Sequence, residues 1–117
     1  MDAKELKNRT MRFAVDVNSL VNGLPKNMTC EVIGRQLVRS STSLGANYRA
    51  ACRAQSTADF IHKIAICEGE SDESEYWLEL LVVSGQVTRD RVERLLDESN
   101  QLTAIMTASR LTARRGR

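Results

Sequence analysis

Apolar residues recur every three or four positions along most of this chain, which is the spacing of one face of an α-helix. The repeat runs through four segments, and turn signals separate them at Gly23 and Pro25, near Gln55 and near Gln86. No apolar run of useful length alternates with a period of two, the pattern typical of strands. The spacing therefore predicts an all-α chain of four helices.

The ends of the helices and their core-facing residues follow from the same pattern. The first helix is predicted from about Ala3 to Asn22, where Gly23 ends it. Thr29 is predicted to cap the second helix and Ser56 the third, because a hydroxyl there accepts a hydrogen bond from the first turn. The predicted core faces are Leu6, Phe13, Val17, Leu20 and Leu24; Ile33, Leu37, Leu44, Tyr48 and Ala51; Phe60, Ile64, Cys67, Ser71, Ser74, Leu78 and Leu81; and Val92, Leu95, Leu102 and Met106.

The connections between the helices predict their topology. Short loops around Gln55 and Gln86 force the helices that they join to run antiparallel. Helices of roughly 20 to 28 residues are about 30 to 42 Å long at 1.5 Å per residue, which suits an up-down-up-down four-helix bundle. We assign this single domain to residues 1–113, and a basic C-terminal tail that is expected to fray to residues 114–117.

Composition favours a soluble, cytoplasmic protein. The chain is 42% hydrophobic and 27% charged, which is ordinary for a folded domain. Its apolar runs fall far short of the roughly 20 residues of a membrane span, and its first residues lack the apolar core of a signal peptide. Cys30, Cys52 and Cys67 form no paired motif, so we expect them to be small buried residues in a reducing compartment. No contact with a membrane is expected.

Charge is unevenly distributed, although the net charge is only +2. Residues 1–63 carry ten Lys or Arg against five Asp or Glu, and residues 89–117 carry seven against four. Between them, residues 64–88 carry six acids and no base. Such an acidic block can pair within the bundle, with another subunit or with a basic partner. Pairing within the bundle is the interpretation that we favour.

Two rows of polar residues lie where a plain bundle would have apolar ones. A partly buried carboxylate needs a donor, and an arginine on a neighbouring helix is the obvious one. We expect Arg39 to meet Glu70 or Glu73, with Asn47 as a second candidate donor; the alternative is that both glutamates are solvated. This predicted polar cluster consists of Arg39, Ser43 and Asn47 on the second helix, and Glu70, Glu73 and Trp77 on the third.

The third helix has a second apolar line besides its core face. Ile66, Trp77 and Leu80 form this line. A helix with two apolar faces has more surface to bury than its neighbours in one bundle usually cover. The pattern therefore predicts that the chain associates with itself as a homo-oligomer.

A series of motifs occurs in order along nearly the whole chain: Leu-Pro-Lys at 24–26, Arg-Ser-Ser-Thr-Ser-Leu-Gly-Ala-Asn-Tyr-Arg at 39–49, Asp-Phe-Ile-His-Lys at 59–63, Glu70, Glu73 and Tyr-Trp-Leu-Glu-Leu-Leu at 76–81. These motifs resemble those of the four-helix-bundle family of 23S rRNA intervening-sequence proteins. The resemblance also extends, more distantly, to the accessory variability determinants of diversity-generating retroelements. One departure is Ala50, where the family often has Glu.

The resemblance implies an antiparallel four-helix bundle that assembles as a ring of five, with no established catalytic activity. It also implies that the predicted polar cluster falls on recurrent positions of the family. The accessory relatives bind nucleic acid and a reverse transcriptase through basic surfaces, so the resemblance leaves both kinds of partner open for this chain.

The residues themselves point away from an enzyme. Di-iron sites in helical bundles need a Glu-x-x-His on each of two helices, but His62 is the one histidine in the chain. Cys52 and Cys67 have no other histidine to activate them, and no nucleophile elbow or phosphate-binding glycine loop is present. We therefore predict no enzymatic activity, no metal and no cofactor.

A homo-oligomeric interaction scaffold, with the pentamer favoured and with a further protein as a candidate partner, is the function that we predict. The alternative is weak, sequence-indifferent binding of RNA or DNA. Arginine is a good phosphate ligand, and a ring would multiply each basic patch. The candidate nucleic-acid contacts are Arg35, Arg49, Arg53, Arg110, Arg114, Arg115 and Arg117, with further basic residues on the first helix at Lys4, Lys7, Arg9 and Arg12.

Overall fold

The computed structural model describes residues 1–116, which form four α-helices and no strand. The helices are α1 (Ala3–Asn22), α2 (Met28–Ala51), α3 (Thr57–Val83) and α4 (Arg89–Arg115). The prediction of an all-α chain of four helices is confirmed. Arg117, one of the candidate nucleic-acid contacts, lies outside the described residues. Arg114 and Arg115 continue α4.

Side-chain caps fix where three of the helices begin. At the start of α1, Asp2 Oδ1 accepts from the backbone N–H of Glu5 at 2.8 Å. Ser56 Oγ accepts from the backbone N–H of Asp59 at 3.0 Å, as predicted for α3. The predicted cap of α2 is wrong: Asn27, not Thr29, accepts from the N–H of Cys30 at 2.8 Å. Asparagine ranks above threonine as an N-cap, and its use starts α2 one residue before Thr29. At the end of α3, Gly85 has the positive φ of 78° that favours glycine.

The four helices pack as an up-down-up-down bundle. Each packs against the next along the chain, and α4 also contacts α1, across the most open of the four borders. Thr10 lies against Gly45 and Val21 against Gly34, so α1 and α2 run antiparallel. The bundle is 47 Å long and 20 × 19 Å across. Within the described residues, no helix combines the length and the apolar character needed to cross a membrane.

The core matches the predicted faces with two corrections. In the first turn of α3, Ile61 is buried and Phe60 is only half-buried. In α4, Leu96 takes the core position and Leu95 lies half-buried beside it. The next core position after Val92 is four residues on, at Leu96, whereas the prediction placed it three residues on, at Leu95. All the other predicted core residues are buried.

Hydroxyl side chains fill the middle of the bundle. Ser40 Oγ lies 2.8 Å from Ser74 Oγ between α2 and α3, and Ser71 Oγ lies 2.8 Å from Thr103 Oγ1 between α3 and α4. Each of these serine hydroxyls also lies within hydrogen-bond distance of a carbonyl of the preceding turn of its own helix, so that in each pair one hydroxyl can donate to the other while the second donates to its carbonyl. Their polar atoms are therefore paired without any longer side chain, which lets the helices approach closely.

The cysteines divide between the core and the surface. Cys30 and Cys67 are buried, as predicted, and burial raises the pKa of Cys67 to about 12. Cys52 is exposed just after the end of α2, so the prediction that it is buried is wrong. All three are free thiols.

Candidate interaction surfaces

Arg39 connects α2 to α3 by bonding two glutamates. Its Nη1 lies 3.3 Å from Glu70 Oε2, and its Nη2 pairs with Glu73 Oε2. The same oxygen of Glu73 accepts from Trp77 Nε1 at 2.9 Å. We call these four side chains the α2–α3 clamp. It brings together four of the six residues of the predicted polar cluster.

The other two members of that cluster remain on α2. Asn47 Nδ2 donates to the carbonyl of Ser43 at 2.9 Å and to its Oγ at 3.0 Å. Asn47 therefore does not reach the glutamates, and Arg39 alone supplies the charged donor. The hydrogen bond to Glu73 raises the pKa of the Arg39 guanidinium, which keeps it charged.

The α2–α3 clamp lies at the surface. The side chain of Arg39 is 48% exposed and that of Glu73 is 36% exposed, whereas Glu70 is 15% exposed. Water therefore screens most of the attraction, and the pairing is worth less than that of a fully buried ion pair.

A second clamp joins α3 to α4 and was not predicted. Arg110 Nε donates to Glu68 Oε1 at 2.8 Å, and the Thr107 hydroxyl donates to Glu68 Oε2. The hydrogen bond from Arg110, then that from Thr107, lowers the pKa of Glu68. Arg110 was named as a candidate nucleic-acid contact, but the structure engages it with Glu68. The position of Glu68 in the sequence could have indicated a partner on a neighbouring helix, because Glu68 directly follows Cys67 of the core face.

A third clamp crosses the open border between α1 and α4. Arg9 donates from Nε to Glu98 Oε2 at 2.8 Å and from Nη2 to Glu98 Oε1 at 2.6 Å. This bidentate geometry is the strong form of an arginine–carboxylate pair. Gln101 Oε1 accepts a further bond from Nη2 at 2.9 Å. The side chain of Arg9 is therefore engaged by α4.

The outer border of α1 and α2 forms a groove with a positively charged rim, which we call the basic groove. It encloses about 520 Å³. Lys7 lies on one side, and Arg49 and Arg53 lie on the other. None of these three cations is in an ion pair within residues 1–116. The rest of the lining is uncharged: Asn8, Thr10, Met11, Ala14, Thr42, Gly45 and Ala46.

The remaining candidate nucleic-acid contacts lie elsewhere. Arg35 is paired with Glu31 one turn away on α2, at 2.7 Å. Arg114 and Arg115 are exposed in the last turn of α4. That turn lies near the end of α2, because Ala113 and Cys52 line the same surface depression. Of the six predicted arginines that the structure describes, only Arg49 and Arg53 therefore belong to the basic groove.

The outward side of α3 carries the opposite charge. Asp72, Tyr76, Glu79 and Val83 are exposed along one line, and Glu75 lies half-buried beside it. We call these five residues the acidic ridge. Partial burial, followed by the charges of Glu79 and Asp72, raises the pKa of Glu75. In the described part of the chain, none of the three carboxylates has an ion-pair partner, so their repulsion is uncompensated.

The second apolar line of α3 is covered only in part. Trp77 and Leu80 are half-buried and pack against the core. Tyr76 and Val83, which lie on the acidic ridge, are 57% and 82% exposed. The apolar surface that the subunit leaves open on α3 is therefore centred on the ridge, one residue away from the line that the sequence predicted.

Replacing Glu75 by Gln should stabilise the dissociated subunit. A raised pKa means that folding disfavours the charged form, so the carboxylate destabilises the fold once the pH exceeds that pKa. We expect a gain in unfolding free energy of about 0.2–0.5 kcal/mol at pH 7, the size of a like-charge i,i+4 pair. Urea unfolding at low protein concentration measures it. At about pH 3, where carboxyls are protonated, the gain should vanish; a gain independent of pH would contradict the electrostatic cause.

Comparison with known proteins relates this chain to a protein family. Residues 3–108 match the family model described as 23S rRNA-intervening sequence protein. The chain is also similar to a crystal structure of a protein with unknown function from the S23 ribosomal protein family of Bacteroides thetaiotaomicron VPI-5482. The TM-score is 0.84 at 37% identity, and the match covers 92% of this chain and 96% of that chain. No curated protein sequence matches the chain.

Proposed function

This chain belongs to the 23S rRNA-intervening sequence protein family, and we propose that it works as a homo-oligomeric interaction scaffold without enzymatic activity. The observation that carries the proposal is the exposed apolar surface outside the core. Met11 is 62% exposed on the basic groove, and Tyr76 and Val83 are exposed on the acidic ridge. Exposed apolar side chains set among charged ones, as on each of these two surfaces, are typical of sites that bind another protein.

The use of the polar side chains supports a role in binding and not in chemistry. Glu68, Glu70 and Glu73 are each engaged by an arginine, so these carboxylates hold helices together. His62 is exposed on α3, and within residues 1–116 no three metal-binding side chains converge. We propose no metal and no cofactor. The free thiols suit a reducing cytoplasm, where we place the protein.

Size-exclusion chromatography with light scattering tests the assembly. We expect a closed oligomer at micromolar concentration, with a pentamer of about five times the 13.1 kDa subunit favoured and a smaller ring as the second choice. A species of 13.1 kDa under these conditions would overturn the proposed function, because the exposed apolar surface would then remain uncovered.

Binding of RNA or DNA is the second candidate function, and the basic groove is the observation in its favour. Each phosphate that a cation neutralises adds about −0.9 to the slope of log K against log salt on duplex DNA. Fluorescence anisotropy on a labelled duplex should show binding at about 50 mM salt that weakens steeply toward physiological salt.

Replacing Arg49 and Arg53 together by Ala should flatten that slope. Arg35→Ala is the matched control, because Arg35 is on the same helix but is already paired with Glu31. A slope that is unchanged in the double variant excludes the groove as the contact. No binding at about 50 mM salt, where phosphate contacts are strong, excludes nucleic acid as a ligand.

A further inference from the structure

The basic groove and the acidic ridge have similar lengths. The groove follows α2 from Thr42 and continues to Arg53, two residues past the end of α2 at Ala51, and the ridge lies on α3 from Asp72 to Val83. At 1.5 Å per residue, the helical part of the groove is about 14 Å long and the ridge is about 16 Å long. The ridge can therefore lie along the groove over most of its length.

The charges of the two surfaces also agree in spacing. Arg49 in the last turn of α2 and Arg53 just past its end are four residues apart, and so are Glu75 and Glu79 on the ridge. Four residues correspond to about 6 Å along a helix. When the two helices lie side by side, both carboxylates can therefore meet a guanidinium at the same time. Lys7, on the opposite rim, is available for a further contact.

The apolar side chains distinguish a protein occupant from a nucleic acid. The apolar lining of the groove includes Met11, Ala14 and Ala46, and the ridge presents Tyr76 and Val83 between and beyond its carboxylates. A phosphate backbone would neutralise the cations but leave these apolar side chains without a partner. A helix with both acidic and apolar side chains pairs with the cations and covers the apolar lining together.

We propose that the acidic ridge of one copy of this chain lies in the basic groove of a second copy. The proposal rests on the homo-oligomeric function proposed above and identifies the surfaces through which it is built. Groove and ridge are different surfaces, and α1 does not pack against α3 within the subunit. Each copy therefore contributes its ridge to one neighbour and its groove to another, a head-to-tail contact that closes into a ring where the rotation permits.

Exchanging the charges within a single chain tests this contact. One variant combines Arg49→Glu with Arg53→Glu, and the other combines Glu75→Lys with Glu79→Lys. Each places like charges opposite each other, and we expect association to weaken by about 10²-fold or more, so that monomer predominates at micromolar concentration. The fourfold variant has both surfaces reversed, which restores attraction, and it should regain the oligomer seen by light scattering.

Arg114→Glu with Arg115→Glu is the matched control for the groove variant, because it makes the same change in net charge at the end of α4. It should leave the oligomer intact. Circular dichroism confirms that each variant is folded. An oligomer that survives both single-surface reversals, or a folded fourfold variant that stays monomeric, overturns this contact alone. A monomeric wild-type protein overturns the proposed function with it. If the variant with Arg49→Glu and Arg53→Glu loses nucleic-acid binding but still assembles, the groove binds a polyanion and not the ridge of a second copy.

Discussion

Leu78→Ala is expected to lower the free energy of unfolding by about 3–5 kcal/mol. Leu78 is fully buried in the middle of α3, the helix that packs most closely against both α2 and α4. Truncation removes the transfer free energy of its side chain and leaves a cavity that close-packed neighbours cannot fill. Since small domains are stable by about 5–15 kcal/mol in total, this single change removes a large share. Urea unfolding followed by circular dichroism measures it.

Leu80→Ala is the matched control on the same helix. Leu80 is half-buried at the edge of the core, so its truncation should cost clearly less than that of Leu78. Both variants have to be compared with the wild type at one protein concentration, because association shifts the apparent stability. Equal losses at the two positions would contradict the assignment of Leu78 to the centre of the bundle.

The fold could be predicted from the sequence because the apolar period identifies helices without any knowledge of their neighbours. The bounds of α1 were predicted correctly from Gly23 and the start of the apolar repeat. The errors are local. Where two apolar residues are adjacent, as at Leu95 and Leu96, the period does not decide which one faces the core. The packing of α4 against its neighbours decides it, and that is a property of the assembled bundle.

The acidic block of residues 64–88 shows what a count of charges leaves out. Pairing within the bundle was the favoured interpretation, and Glu68, Glu70 and Glu73 do pair with arginines of neighbouring helices. Asp72 and Glu79 point outward and have no partner in the described residues. At 100° per residue, carboxylates that are neighbours in sequence lie on different sides of α3. Whether a carboxylate finds a partner therefore depends more on the direction of its side chain than on the net charge of the segment.

Whether an arginine pairs with a carboxylate likewise depends on the direction of its side chain. Arg39 was expected to meet a glutamate because both lay on polar rows that interrupt apolar faces. Arg9 and Arg110 carried no such signal, since each of their ion pairs has one member on α4, whose rotation the sequence did not define. Pairing across two helices depends on the rotation of both. For this reason Arg110 was predicted to contact nucleic acid, whereas the structure places it against Glu68.

Arg39→Ala is expected to reduce the free energy of unfolding by about 1–2 kcal/mol, between the value of an exposed ion pair and that of a buried hydrogen bond to a charge. Removing the guanidinium leaves Glu70 and Glu73 one turn apart without a cation, and Glu70 is only 15% exposed. The carboxylates then repel each other, and α2 loses its charged link to α3. Urea unfolding at pH 7 measures the loss.

Arg35→Ala is the control that isolates the link between helices. Arg35 is on the same helix one turn earlier, and its pair with Glu31 joins two side chains that are 77% and 63% exposed within α2. Such a pair contributes about 0.3–0.5 kcal/mol, so its loss should be the smaller of the two. A double-mutant cycle of Arg39→Ala and Glu73→Ala should show coupling, because the two residues share a direct bond. Additive losses, or equal losses at Arg39 and Arg35, would show that water already screens the α2–α3 clamp completely and that the buried serines and apolar side chains alone hold α2 against α3.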